Sequence, residues 1–291
     1  MTAHFVTTPV LRIAYERGGP ADGASVILLH GWPDDVRTFD EVVPALQAAG
    51  FQTVVPWLRG FGPTSFLSAD TMRSGEMVAM AQDAIDLADA LKLQTFAVIG
   101  HDWGARIAYI LAAVFPERAT HICALSVGWQ PGELPTPALE QARKYWYQWF
   151  MATDRGAETV KAQRKAFARI QWETWAPQGW FRDAEFETTA IIRIGRRLPC
   201  IPIRFAGARR GRTRRYRDLD QRAMSAKAIS VPTLMIQGGA DGVTLPSTTD
   251  GKEEYFTSGY RRHVLEGVGH FPTREAPAAV NKLLIEFLKA K

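Results

Sequence analysis

The stretch Val98-Ile99-Gly100-His101-Asp102-Trp103-Gly104-Ala105-Arg106, "VIGHDWGAR", decides how the rest of the chain reads. An apolar strand over Phe96 to Ile99 runs into glycine, aspartate and a second glycine. Apolar residues at helical spacing then follow through Ile107, Leu111 and Val114 to Pro116. This is the pattern of a strand-turn-helix elbow, a strained turn that lifts its central side chain into a cleft while small neighbours relieve the crowding. Serine is the commoner occupant of that position. Here it is a carboxylate, so the chemistry depends on what a carboxylate can attack.

Outward from the elbow, strand and helix signals alternate. Strands are predicted around Val10 to Tyr15, over Val26-Ile27-Leu28-Leu29 and at Thr53-Val54-Val55, with a helix near Thr38 to Ala49 that ends at Gly50. Between Ser74 and Leu91 the apolar positions Met77, Met80, Ala81, Ala84, Leu87, Ala88 and Leu91 recur at three and four, which predicts an amphipathic helix. His121 to Ser126 is a further strand, and after a break the rhythm returns with strands at Val231 to Gln237 and Tyr260 to Leu265 and a closing helix from Ala276 to Leu288. The fold class is therefore α/β, a mostly parallel central sheet with helices on both faces.

The break begins at Gln130-Pro131-Gly132-Glu133-Leu134-Pro135-Thr136-Pro137, a run of turn formers, and the next hundred residues read as tryptophan-rich helices. The expected organisation is a core at 1–128, a mainly helical insertion at 129–228 and the remainder of the core at 229–291. At 291 residues and 46% apolar, the chain can bury such a core. It has no apolar run of about 18 residues to span a membrane and no secretory pattern at its start, so a cytoplasmic location is expected. Cys123 and Cys200 are expected as reduced thiols, too few for a zinc cluster.

The net charge of +5 is local. Residues 193–217, RIGRRLPCIPIRFAGARRGRTRRYR, hold ten arginines and no acid, and taking those ten from the 35 Lys and Arg leaves 25 against 30 Asp and Glu. No aromatic interleaving or recognisable module accompanies the run, so a surface segment is expected rather than a nucleic-acid site. Residues 191–215 also lack helical periodicity. Their Arg, Gly, Ala and Pro enrichment is what a short out-of-frame translation of GC-rich DNA gives, and the hypothesis of a compensated frameshift is tested by resequencing the gene.

Five motifs in order, "HGWP" at 30–33, "RGFG" at 59–62, "GHDWG" at 100–104, "GGADG" at 238–242 and "GVGHFP" at 267–272, resemble an α/β-hydrolase of the epoxide hydrolase and haloalkane dehalogenase group. The resemblance covers nearly the whole chain and implies a helical cap between the sixth and seventh core strands. It also implies an oxyanion hole from the backbone N–H groups of Trp32 and Trp103.

The residues support this chemistry directly. Free N–H groups of the helix that begins beside Trp103 favour an ionised Asp102, and an ionised carboxylate is a nucleophile for saturated carbon. An N-cap is its simpler role. His270, on a tight turn after a strand, can take a proton from water near neutral pH, and Asp241 can fix its tautomer. The chain order nucleophile, acid, histidine is that of this fold. Glu133 is a weaker alternative for the acid, and Asp241 can also be read as a turn-forming Asp-Gly. His30 and His101 are expected to be structural. Attack by Asp102 makes an ester on the enzyme, and water activated by His270 then attacks the carbonyl of Asp102 itself.

What receives the leaving atom separates the alternatives. An opening epoxide needs a proton donor, and Lys144-Tyr145-Trp146-Tyr147-Gln148-Trp149-Phe150 resembles the first cap helix of bacterial epoxide hydrolases, with Tyr147 matching their first cap tyrosine. A second tyrosine has no convincing counterpart, since Tyr216 sits in a different local pattern. Trp103 is the residue dehalogenases place beside the nucleophile to hold halide. Arg106 matches one carboxylate-binding arginine of fluoroacetate dehalogenases, though a surface helix arginine is its simpler reading. Trp103, Tyr147 and Phe61 are expected to bind substrate, and the tryptophans and Phe61 to wall an apolar pocket or pack the cap. Epoxide hydrolysis leads, dehalogenation is the alternative, and a weakly active or inactive ligand-binding member of the fold is the third reading. The expected partners are a small apolar electrophilic substrate and water, with no cofactor, metal, nucleic acid or membrane; both monomer and homodimer stay open.

Overall fold

The computed structural model describes residues 3–132, 136–189 and 214–290. Short β-branched and aliphatic runs make the strands, and longer segments with apolar residues at three and four make the helices. In chain order the first half comprises β1 (His4–Thr7), β2 (Leu11–Gly18), β3 (Ser25–Leu29), α1 (Val42–Ala48), β4 (Gln52–Pro56), β5 (Ser65–Phe66), α2 (Met77–Ala90), β6 (Phe96–His101), α3 (Trp103–Val114) and β7 (Ala119–Leu125). Among the described residues α4 (Leu139–Lys144), α5 (Trp146–Met151), α6 (Asp154–Ala162), α7 (Arg164–Trp175), α8 (Asp183–Thr188) and α9 (Arg217–Ser225) follow. The chain closes with β8 (Thr233–Gly238), β9 (Tyr260–Leu265), α10 (Pro272–Glu275) and α11 (Pro277–Lys289).

The nine strands form one sheet in the order β1-β2-β4-β3-β6-β7-β8-β9, with β5 paired to β2. From β4 to β9 every pairing is parallel, and β1 and β2 add an antiparallel edge. Strands β4, β6 and β8 are buried along their whole length, as a parallel sheet covered on both faces requires. Around it, α1 packs on α11 and α2 on α3.

The predicted helix from Thr38 to Ala49 is two pieces, a 3₁₀ turn at Val36–Phe39 and then α1. Pro44 explains the division, because in the middle of a longer helix its ring would clash with the preceding turn, whereas in the first turn of α1 its missing N–H costs nothing. The 3₁₀ turn has its own start, with the Asp35 carboxylate accepting the Arg37 N–H.

Every described helix between β7 and β8 lies in the region read as an insertion, and a second apolar cluster there is built on Tyr147, Phe167, Trp172, Trp175 and Phe186. Buried polar links fasten it to the sheet. The Trp172 indole donates to Pro33 O at 2.9 Å, and Gln141 bonds both Val243 O and Leu245 N. Arg274 grips Asp34 through two nitrogens at 2.7 and 2.8 Å and reaches Glu185 of α8 at 2.8 Å. Among the described residues no helix is long and apolar enough to cross a membrane. The arginine-rich segment lies mostly outside the described residues, as do Glu133 and Cys200.

Candidate active site

Trp32, Asp102, Asp241 and His270 follow β3, β6, β8 and β9, all at the carboxyl ends of parallel strands, so the sheet delivers them to one edge. The elbow forms as the sequence predicts. Asp102 has φ 52° and ψ −107°, a conformation few non-glycine residues adopt, and its side chain stands clear of α3. It makes no side-chain cap hydrogen bond, so the N-cap reading does not hold. The turn is possible because α3 lies against β3 so closely that a Cβ on Gly104 would stand 1.8 Å from Leu29 O.

Asp102 and His270 face each other. Asp102 Oδ1 accepts the Trp32 N–H at 2.9 Å, and Oδ2 lies 3.6 Å from His270 Nε2. On the other side of the ring, His270 Nδ1 lies 2.9 Å from Asp241 Oδ2. That carboxylate is itself fixed, since Oδ1 accepts the N–H groups of Val243 and Thr244 and Oδ2 accepts the Gln237 amide. His270 Nε2 is buried without a hydrogen-bond partner, so the nitrogen nearest Asp102 is the one left available.

Electrostatics matches this geometry. Burial pulls the His270 imidazole down, but the Asp241 and Asp102 carboxylates override it and take its pKa up to about 10. Burial likewise pushes Asp102 up, and contact with His270 and the Trp32 N–H outweighs it, leaving the carboxyl below its usual range. The resting pair is therefore carboxylate and imidazolium. His30 and His101 behave oppositely, because burial lowers both to about 4 and leaves them neutral. His30 Nε2 accepts the Leu58 N–H and Nδ1 meets Gly31 O, while His101 Nε2 bonds His270 O at 2.7 Å. Both brace loops, in agreement with a structural role.

Tyr147 stands over this centre. Its ring stacks on Trp32 at 5.7 Å and 16°, and its hydroxyl oxygen accepts the Gln148 amide at 2.8 Å, leaving its own proton free to donate. Burial, and then the Asp102 charge, push the phenol well up, so it is protonated at neutral pH. Tyr216 is elsewhere, with its hydroxyl accepting a hydrogen bond from Arg59 at 3.2 Å in a separate cluster with Val78 and Ala79. Phe61 packs edge-on to Trp103 and His30 in the sheet core, 1% exposed. It supports the elbow from below. Trp103 is 8% exposed, and of the two N–H groups expected at the nucleophile, that of Trp32 bonds Asp102. Arg106 is half-buried one turn along α3.

Sequence reasoning missed the supports. Glu275 accepts the N–H groups on either side of His270, from Gly269 at 2.6 Å and Phe271 at 2.8 Å, and Ser126 joins His101 on His270 O at 2.9 Å. Trp175, read only as one of many cap tryptophans, lies edge-on to the His270 ring at 5.0 Å. Tyr145 was passed over too. It is linked to Thr244 and lies within electrostatic reach of Asp102 and Asp241. The position of Glu275 five residues after His270 was a usable signal; the tryptophan had none.

A family model described as the alpha/beta hydrolase fold matches residues 24–277. Among curated proteins, epoxide hydrolase srdG of Neurospora crassa is 25% identical over 99% of this chain and 96% of its own length. Epoxide hydrolase A of Mycobacterium tuberculosis is 24% identical over 99% and 97%. Among solved structures, a Klebsiella pneumoniae protein proposed to be an epoxide hydrolase superposes with a TM-score of 0.89 at 33% identity, covering 99% of this chain and 97% of that one. With the family model covering most of its length and the sheet, elbow and strand-end site in place, the chain belongs to the α/β-hydrolase fold family.

Proposed function

We propose that the chain hydrolyses small apolar epoxides to vicinal diols through an ester on Asp102, with residues 129–228 serving as the cap. One observation carries the reading. Asp102 has one oxygen held by the Trp32 N–H and the other free, facing an imidazole that Asp241 orients. The relatives named epoxide hydrolase support the same assignment.

The free oxygen, Oδ2, attacks a ring carbon while the carbon–oxygen bond of the epoxide breaks and the ring oxygen takes the Tyr147 proton. Oδ1 becomes the ester carbonyl oxygen, already on the Trp32 N–H, which is where negative charge develops when water adds. Ester formation removes the Asp102 charge, so the His270 pKa falls from about 10, and the imidazolium gives its proton to restore the Tyr147 phenol and becomes a base. His270 takes one proton from the attacking water and passes it to the departing alkoxide. The other water proton, left on the new carboxyl group, passes to His270 and restores the carboxylate and imidazolium pair. One epoxide and one water thus become one diol.

Carbon–halogen cleavage is less well supported, because the group above Asp102 is a proton donor and a halide does not need one. The test is diol formation from aryl and alkyl epoxides, run beside halide release from haloalkanes and haloacetates. Diol without halide is expected; halide alone, or neither product, contradicts the reading.

A further inference from the structure

The last turn of α7 belongs to the cap in sequence, yet its main chain runs between the loops that carry Asp241 and His270. Trp175 O accepts the Gly242 N–H at 2.9 Å and the His270 N–H at 3.0 Å. A carbonyl oxygen has two lone pairs, so a single atom of the cap ties the acid loop to the base loop. The approach leaves no space for side chains. A Cβ on Gly242 would stand 2.2 Å from Thr174 O, and one on Gly269 would stand 2.4 Å from Ala176 Cα. Neither glycine has a positive φ, so what these positions need is room and not a left-handed turn.

The Trp175 side chain completes the contact. It is 2% exposed and meets the His270 imidazole edge-on at 5.0 Å and 78°, with Tyr147 at 5.0 Å and Trp32 at 5.6 Å on its other sides. An edge-to-face aromatic pair resists tilting, and the ring that tilts here carries Nε2 toward Asp102.

We infer that Trp175 is the positioning residue of the hydrolytic step. Its carbonyl sets the spacing of the Asp241 and His270 loops, and its indole sets the plane of the imidazole that activates water. Asp102 is held by the elbow and by Trp32 instead, so Trp175 matters more for ester hydrolysis than for ester formation. The cap is thereby part of the triad and not only a wall of the pocket. This inference rests on the ester mechanism proposed above.

The test is rapid quench with intact-protein mass spectrometry on the full chain, using an aryl epoxide, to obtain separate rate constants for formation and hydrolysis of the ester. Trp175→Leu and Gly242→Ala are expected to lower the ratio of hydrolysis to formation by about 10²-fold, the scale of a misplacement near 1 Å, so that ester accumulates in the steady state. Trp175→Phe, which keeps an aromatic edge, is expected to return the ratio to within about threefold of the parent. In Trp175→Leu the pH of half-maximal hydrolysis also moves down, because a loosened Asp241 holds the imidazolium less firmly. Leu139→Ala, exposed on the cap, serves as the control. Should Trp175→Leu not fold, Gly242→Ala decides by the same ratio. An unchanged ratio in folded variants, whether both steps slow together or neither does, overturns the positioning role. If the parent chain forms no ester with any epoxide, the mechanism fails instead.

Discussion

His270 holds Nε2 3.6 Å from Asp102 Oδ2, close enough for each charge to govern the other and too far for a hydrogen bond. The imidazolium is held by Asp241 and, with it, by the free Asp102 carboxylate. Asp102→Asn, which removes the charge with little change in shape, is expected to drop the His270 pKa from about 10, as read by NMR titration of the ring. A pKa that stays put would mean that Asp241 alone sustains it and that ester formation does not release the base.

The two tyrosines assigned to different places predict different losses. Tyr147→Phe keeps the stacking on Trp32 and loses the proton, so diol formation is expected to fall by about 10²–10⁴-fold with little loss of stability. Tyr216→Phe removes a hydrogen bond to Arg59, and is expected to cost about 1 kcal/mol in unfolding free energy while turnover persists. Steady-state kinetics beside urea unfolding reads both. Equal catalytic losses in the two variants would contradict the placement of Tyr147 over the site.

Arg274 joins Asp34 to Glu185 of α8, and its partner Asp34 is wholly buried. Burial pushes the Asp34 carboxyl up, and Arg274 more than compensates, holding it below its usual range. Arg274→Met strands that charge, so a loss of about 3–5 kcal/mol is expected in chemical unfolding, with part recovered by adding Asp34→Asn. A loss below about 1 kcal/mol, the scale of a surface pair, would show that the contact is not closed in solution.

Stability is expected to fall on both sides of neutrality, for different histidines. His30 and His101 are neutral in the fold with pKa values of about 4, below the unfolded value, so their contribution is full above about 6.5 and lost as pH falls toward 4. His270 has the opposite sign, because its folded pKa of about 10 lies above the unfolded value. Its contribution is full below about 6.5 and lost as pH rises through 10. Unfolding free energies from pH 4 to pH 10.5 are expected to show that His270→Gln flattens the alkaline fall and leaves the acid one. A variant that flattens neither limb would contradict the assignment.

The elbow, the alternation around it and the Asp-His-Asp set were legible because each depends on local signals: an apolar run, a glycine spacing, an Asp or His just past a strand. The supports were not, because they depend on pairs far apart in sequence. Arg274 and Asp34 are separated by 240 residues, and nothing near either one names the other. Gly242 and Gly269 carry the clearest lesson. In the sequence they sit in "GGADG" and "GVGHFP" and read as turn formers, whereas in the fold they leave space for the main chain at Thr174 to Ala176. The division of the predicted first helix is readable in principle, since a proline at position 44 fits the first turn of a helix and not the middle of one. Phe61, expected at the pocket wall, packs edge-on to Trp103 in the core cluster of the sheet.

The central claim is that Asp102 attacks carbon and that His270 serves the second step. Its most direct test is mass spectrometry of His270→Gln after mixing with an aryl epoxide, followed by peptide mapping. The expected result is a stable adduct of one epoxide per chain, located as an ester on Asp102 and absent from Asp102→Asn. No adduct with any epoxide tried, or an adduct on another residue, would contradict the account.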